Sequence, residues 1–244
     1  MKFLFGIIIV CIFGLTHLAE AQNLTVLTTT WAPYSYEGNG NITGLATEIV
    51  RAVLKKAEIS ADIEHYPWKR AIITARDGKN ILIYPLIRTP ERESHFVWVA
   101  PMFNAEICLY KLKKRKDIAI TSLDDARTHT IGVLRGAAMH QHLNSHGFKD
   151  RRQLDVLGSN RKIAELLFRE RIDLAADNPL VFGYETRQLG YPIHEAEKVF
   201  QLFEDEAYMA FGKGSSNAHV NRLKEAFEEL RADGTLEVIH EKYR

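Results

Sequence analysis

Twice along this chain a β-branched run is followed by an amphipathic helical segment and another strand-like run. That alternation restricts the fold to α/β units with parallel strands and helical crossovers. The first set opens with Leu24-Thr25-Val26-Leu27-Thr28-Thr29, an alternating strand. The spacing then predicts a helix over 45–57, with Leu45, Ile49 and Val53 on one face beside Val50 and Leu54. A strand over 61–66 follows, then a helix started by Pro67 that carries Trp68, Ile72 and Ala75 and stops near Asp77-Gly78. Ile81-Leu82-Ile83 reads as a short buried strand. Two further strands are expected at Phe96-Val97-Trp98-Val99, broken by Pro101, and over 107–111.

The pattern restarts after Lys111-Leu112-Lys113-Lys114-Arg115-Lys116. That basic run lacks the interleaved aromatics of a nucleic-acid site and reads as a solvated linker or edge. Asp124-Asp125-Ala126 suggests a short helix, and Thr130-Ile131-Gly132-Val133-Leu134 a strand turning through Arg135-Gly136-Ala137-Ala138 into a helix with Met139 and Leu143. Next are a strand over 154–157, a helix capped by Asn160 and running to about 171, a strand over 173–176, and a helix holding Val181, Phe182 and Leu189. Strands over 200–203 and 208–211 precede a helix with Val220, Leu223, Phe227 and Leu230, ended by Gly234, and a last helix with Leu236 and Ile239. This tail has no strands of its own and is expected to pack back on the first unit, so that the chain crosses between units twice.

At the N-terminus, Met1-Lys2-Phe3, an apolar stretch over 7–15 and Ala19-Glu20-Ala21 form a secretory signal with cleavage expected before Gln22. The stretch is short for a membrane span. Removal of the signal takes Cys11 with it, leaving Cys108 alone, so no intramolecular disulfide can form. Cys108 lies in the apolar run Ile107-Cys108-Leu109-Tyr110 and reads as a buried, inert thiol. A formal charge of +1 argues against nucleic acid as a partner. The histidines 140, 142 and 146 lack an acidic or cysteine partner at ligand spacing and read as a polar helix face, so neither a metal nor a cofactor is expected.

The chemistry concentrates in Tyr84-Pro85-Leu86-Ile87-Arg88-Thr89-Pro90-Glu91-Arg92. Two prolines disfavour a regular ladder, so Arg88 and Arg92 are expected on an irregular segment just past a strand end, where open α/β sheets bind ligands. A guanidinium there suits a carboxylate or phosphate; alternatively both arginines are ordinary surface charges.

These features in this order resemble the bacterial extracellular solute-binding proteins of family 3: Trp31-Ala32-Pro33-Tyr34, Gly44-Leu45, Thr89-Pro90-Glu91-Arg92, Gly132-Val133-Leu134-Arg135-Gly136, Asp173-Leu174-Ala175-Ala176-Asp177, Tyr208-Met209-Ala210-Phe211-Gly212-Lys213-Gly214-Ser215, and the Leu-Arg-Ala-Asp-Gly-Thr-Leu close over 230–236. The resemblance implies an α/β, two-lobed periplasmic-binding-protein type II fold with a two-strand hinge: signal 1–21, lobe 1 over 22–110 plus 207–244, lobe 2 over 111–206. It implies a periplasmic, monomeric receptor that closes over a small-molecule ligand, a small polar or anionic, amino-acid-like solute, and delivers it to the membrane subunits of an ABC transporter, or signals to a membrane sensor. Arg92 matches the arginine that holds the ligand carboxylate, and Pro85 the carbonyl that takes its ammonium. Trp31 and Tyr34 match the aromatic loop over the ligand, and Asp177 or Asn178 the second-lobe acid. Trp68 and Arg88 stand near the expected cleft.

Three departures bear on specificity. Ile87 stands where the family carries a hydroxyl, Gly136-Ala137-Ala138 replaces Gly-Thr-Thr, removing two more, and Ala46-Thr47-Glu48 replaces the acidic pattern that starts the helix after Gly44. Fewer hydroxyls and added charge at Arg88, Arg135 and the Trp68-Lys69-Arg70 cluster suit a more acidic or larger solute, or else the arginines pair with lobe acids such as Glu48. Catalysis, as in the dehydratases of the same family, would need a cleft carboxylate of raised pKa. Glu37 and Glu48 are nearest, and neither stands in a distinguishing motif, so no enzyme activity is expected.

Overall fold

The computed structural model describes residues 24–243, so the signal segment lies outside the described residues. The first parallel unit is built from β1 (Thr25–Thr28), the hairpin β2 (Tyr36–Gly38) and β3 (Asn41–Thr43), α1 (Leu45–Lys56), β4 (Ile63–His65), α2 (Trp68–Asp77) and β5 (Ile81–Ile87). A one-turn helix α3 (Pro90–Glu93) leads into β6 (Phe96–Leu112). After a 3-10 turn over Asp124–Thr128 the second unit comprises β7 (Ile131–Leu134), α4 (Ala138–Ser145), β8 (Leu154–Leu157), α5 (Asn160–Phe168), β9 (Leu174–Asp177) and α6 (Pro179–Gln188). The chain returns through β10 (Ala196–Gly212) and ends in α7 (Asn217–Ala232) and α8 (Thr235–Glu241).

The main sheet has the order β4-β1-β5-β10-β6-β9-β7-β8. Its two long strands, β6 and β10, run antiparallel to each other from Phe96–Gly212 at one end to Leu112–Ala196 at the other. β5 attaches to β10 only over residues 207–211, and β9 to β6 only over residues 108–110. Between these attachments the pairs Glu206–Asn104, Asp205–Ala105, Glu204–Glu106 and Phe203–Ile107 form a bare two-stranded ribbon. That ribbon is the hinge of a type II periplasmic-binding fold. Four register shifts, two on each side of it, coil the strand pair.

Each lobe has its own core. In the first, Leu82 and Tyr84 of β5 face α1 and α7, packing with Ile49, Val53, Leu223 and Phe227. Ile83 and Leu86 face the opposite side, against Ala71 and Ala75 of α2. The alternation of a strand buried on both faces therefore places helices on both sides of the sheet. The C-terminal helices complete this lobe, as the tail's lack of strands requires. In the second lobe Ile131, Val133, Leu174 and Ala176 pack under Leu143, Ile163 and Phe182. Ile107, Cys108, Leu109 and Tyr110, assigned by sequence to lobe 1, pack in this second core.

Three local expectations are corrected. The strand expected to end before Pro85 continues through it to Ile87. A register shift sets both Tyr84 and Pro85 opposite the single residue Met209, so the missing proline N–H falls at a bulge and costs no ladder bond. The four separate strands expected on either side of Pro101 and of residues 204–207 are two continuous ones, with Pro101 beside another bulge. Finally, Ser159 caps α5 by accepting from the Lys162 N–H, while Asn160 begins the helix, which stops at Phe168.

Candidate functional site

β1, β5 and β7 all end at the gap between the lobes, and the residues just beyond them define it. After β1 the chain turns sharply: the Tyr34 N–H donates to the Trp31 carbonyl at 2.8 Å and the Trp31 N–H to the Ser35 carbonyl at 2.7 Å. The carbonyls of Pro33 and Tyr34 then accept from the first free N–H groups of α1, on Leu45 and Ala46. This close approach requires Gly44, whose φ is +114° and where a Cβ would lie 2.5 Å from the Tyr34 oxygen. The turn is thereby fastened to α1 and presents Trp31 and Tyr34 inward. Tyr34 stacks on Phe103 of β6 at 4.1 Å, with Trp31 tilted 4.8 Å from Tyr34. The Tyr34 hydroxyl donates to Asn178 Oδ1 across the lobes at 3.3 Å. Burial pushes that phenol up to about 12, so it stays neutral.

Arg92, on α3, is only 2% exposed. Its Nη1 donates to the Ile87 carbonyl at 2.6 Å and its Nη2 to the Gly136 carbonyl of the other lobe at 3.3 Å. Its Nε has no partner, nor has the equally buried indole N–H of Trp68, whose ring lies 5.4 Å from the guanidinium. Among the described residues no carboxylate lies within ion-pair distance of Arg92. Burial pulls its pKa down to about 10, which leaves it a cation at neutral pH. A buried charge of this kind is stable only when a ligand or a dense set of acceptors compensates it.

Of the residues singled out by sequence, Trp31, Trp68, Pro85, Ile87, Arg92 and Ala138 line one inter-lobe cavity of about 40 Å³. Gly136 borders it through the carbonyl on Arg92. At roughly 10–15 Å³ per water, the volume is that of about three waters. Thr29, Thr30, Leu134, Ala137 and Met139 complete the lining. Of the five, only Ala137 was marked by sequence, as a departure from the family pattern, although Thr29 and Thr30 follow the end of β1 and Leu134 ends β7, where strand-end logic points. Through Thr29, Thr30, Trp68 and Leu134 the cavity continues into a mouth of about 420 Å³ that also carries Glu37, His65, Arg161 and Glu185.

Tyr34, Arg88, Asp177 and Asn178 do not line the cavity. Arg88 is bidentate to Glu93 and packs against the rings of Trp98 and Tyr208. Asp177 is fully buried, its Oδ1 accepting from Asn160 Nδ2 at 2.9 Å and from the Asn178 N–H at 2.8 Å. Desolvation pushes its carboxyl up to about 7. Asn178 caps α6, accepting from the N–H groups of Leu180 and Val181. Arg135 donates to the Val156 carbonyl, Arg70 sits over Tyr66, and Glu48 pairs with Lys242, so none of these meets the cleft arginine. His140 accepts from the Gly136 N–H and bonds Asp150, and among the described residues no group of three or more His, Cys, Asp or Glu is placed to hold a metal.

The cavity can thus hold an anion between two closing surfaces; Thr29 and Thr30 supply its only side-chain hydroxyls. Among the described residues no helix is long and apolar enough to cross a membrane. The chain is 24% identical over 225 residues to the arginine-binding extracellular protein ArtP of Bacillus subtilis, spanning 87% of this chain and 82% of ArtP. A histidine kinase sensor domain with similarity to periplasmic binding proteins superposes with a TM-score of 0.82 at 17% identity, covering 91% of this chain and 95% of that one. An ancestral arginine-binding protein bound to arginine gives 0.78 at 23% identity, covering 90% and 97%. The family description of the bacterial extracellular solute-binding proteins, family 3, matches residues 24–244, and the chain belongs to that family.

Proposed function

We propose that this protein captures a small anionic solute between its lobes in the periplasm and delivers it, as a closed monomer, to the membrane subunits of an ABC importer. The observation that carries this reading is Arg92: a buried guanidinium without a carboxylate partner, in contact with both lobes, at the cavity where the three strands end. In this reading the lobes, 22–110 with 207–244 and 111–206, with 107–110 going with the second, swing about the β6–β10 ribbon, and the solute shifts that equilibrium toward closure. Trp31 covers the solute from the first lobe, backed by Tyr34. Asn178 acts on closure through Tyr34 and not on the solute. Asp177, the carboxyl raised to about 7, lies outside the cavity lining, and Glu185, raised by burial, lies at the mouth. Likeness in fold to a histidine kinase sensor domain supports a second reading, in which the closed form reports to a membrane sensor.

A thermal-shift screen of amino acids, oligopeptides, carboxylates and amines tests the reading. A solute at a hundredfold excess over its Kd stabilises the protein by about 2.7 kcal/mol. Arg92→Met keeps the buried stem and removes the charge. It is expected to abolish the shift while leaving the unliganded Tm unchanged or slightly raised, since an uncompensated buried cation is itself costly. A variant that keeps the full shift overturns the assignment. A deletion strain that loses uptake of the hit supports import, and one that keeps uptake but loses a transcriptional response supports sensing.

A further inference from the structure

We infer that the solute is an organic carboxylate with an apolar body and no amino group on the carbon next to the carboxylate. The inference rests on the reading of Arg92 as the anion grip and names the chemical class that the same cavity takes.

Two buried donors, Arg92 Nε and Trp68 Nε1, lack acceptors, and both belong to residues lining the cavity. A carboxylate supplies two acceptor oxygens and the countercharge together. An α-ammonium would have to be carried into the same space, within a few ångströms of the guanidinium, and it would need acceptors of its own. The cavity provides none that is anionic: no Asp or Glu is among its lining residues. The two carbonyls beside it, of Ile87 and Gly136, already accept from Arg92. The second-lobe acid, Asp177, is fully buried and outside the lining; its Oδ1 holds Asn160 and the Asn178 N–H, and its Oδ2 is a buried acceptor without a partner. Asn178 Oδ1 is occupied by the Leu180 and Val181 N–H groups and the Tyr34 hydroxyl. Glu37 and Glu185 line the mouth and not the cavity.

The remaining walls fix the body. Trp31, Trp68, Ile87, Leu134, Ala138 and Met139 offer ring faces and aliphatic carbon, and the cavity widens past Trp68 toward the mouth. An aryl or alkyl chain attached directly to the carboxylate fits this lining, whereas an ammonium on the first carbon would find only the neutral hydroxyls of Thr29 and Thr30 among the lining side chains and a cation beside it.

Isothermal titration of the purified protein with matched pairs tests this: 3-phenylpropanoate against L-phenylalanine, 4-methylpentanoate against L-leucine, and pentanoate against L-norvaline. In at least one pair the acid lacking the amino group is expected to bind tenfold or more tightly than its amino partner. Arg92→Met is expected to abolish that binding. Trp68→Phe, which keeps a ring and removes the N–H, is expected to weaken it several-fold. An L-amino acid that binds as tightly as its partner, with Arg92 required, overturns this inference and leaves the solute-binding function standing. Failure of every acid to bind also overturns it. Binding of any solute that survives Arg92→Met unchanged removes both the inference and the assignment of the site.

Discussion

Replacing Asp177 by asparagine is expected to remove a pH dependence of stability that the wild type carries between about pH 4 and pH 7, without affecting solute binding. The carboxyl is fully buried, and desolvation raises it from an ordinary value of 3.8 to about 7. The folded state therefore holds a proton that the unfolded chain releases, so stability falls as pH rises through this window and levels off above about 7. At roughly 1.4 kcal/mol per pH unit, a displacement of about three units is worth at most about 4 kcal/mol. Asparagine keeps the Oδ1 acceptor used by Asn160 Nδ2 and the Asn178 N–H, and is neutral at every pH. The two proteins are thus expected to be of similar stability near pH 5, and the variant about 2–4 kcal/mol more stable near pH 8.5. Glu185, which burial also raises, is present in both and largely cancels in the difference. Asp117 and Asp125, held down to about 2, contribute a constant amount over this range. Urea unfolding followed by tryptophan fluorescence, repeated across the range, reads the gap directly. A gap that does not change with pH refutes the placement of Asp177. Lost solute binding in a folded Asp177→Asn protein would instead return this residue to the role of ligand acid.

Asn178→Ala removes the acceptor for two N–H groups of α6 and for the Tyr34 hydroxyl, and is expected to cost about 1–2 kcal/mol in urea unfolding. Because one of those bonds joins the lobes, small-angle scattering should also show a larger radius of gyration for the unliganded variant. Gly212→Ala is expected to destabilise the protein by about 2 kcal/mol or more, since its Cβ would lie 2.2 Å from the Ala75 carbonyl oxygen and neither backbone can retreat. Cys108, with its thiol pushed up to about 12 by burial, is expected to resist a disulfide reagent until the protein unfolds, so its labelling rate should follow the urea transition.

The helices were the most legible part of the chain, because each announces itself within a dozen residues. The apolar stripe of Leu45, Ile49 and Val53 and the stop at Gly234 need no distant partner to be recognised. The hinge strands were not legible, for the complementary reason. Pro101 and Pro85 are local signals against a strand, and they are overridden only because a partner strand is available with a bulge at the matching place. That partner lies about a hundred residues away, and no window of sequence contains it. The same blindness governed the arginines. Arg88 and Arg92 read alike as two cations beyond a strand end, yet Glu93 secures one at the surface while Ile87 and Gly136 enclose the other.

What sequence presented as separate departures from the family pattern becomes one feature in space. Ile87 belongs to the first lobe, and Ala137 and Ala138 to the second, some fifty residues on. All three line the same cavity, and all three stand where hydroxyls are expected beside a carboxylate. Independent drift at positions so far apart in the chain has no reason to remove hydroxyls from opposite walls of one cavity while the arginine between them stays buried and charged. A change in the solute, as inferred above, would have that consequence. Once the polar surroundings that satisfy an amino acid are unnecessary, each buried hydroxyl without a partner is a cost, and carbon replaces it. On the proposed reading, the guanidinium remains because the solute keeps its carboxylate.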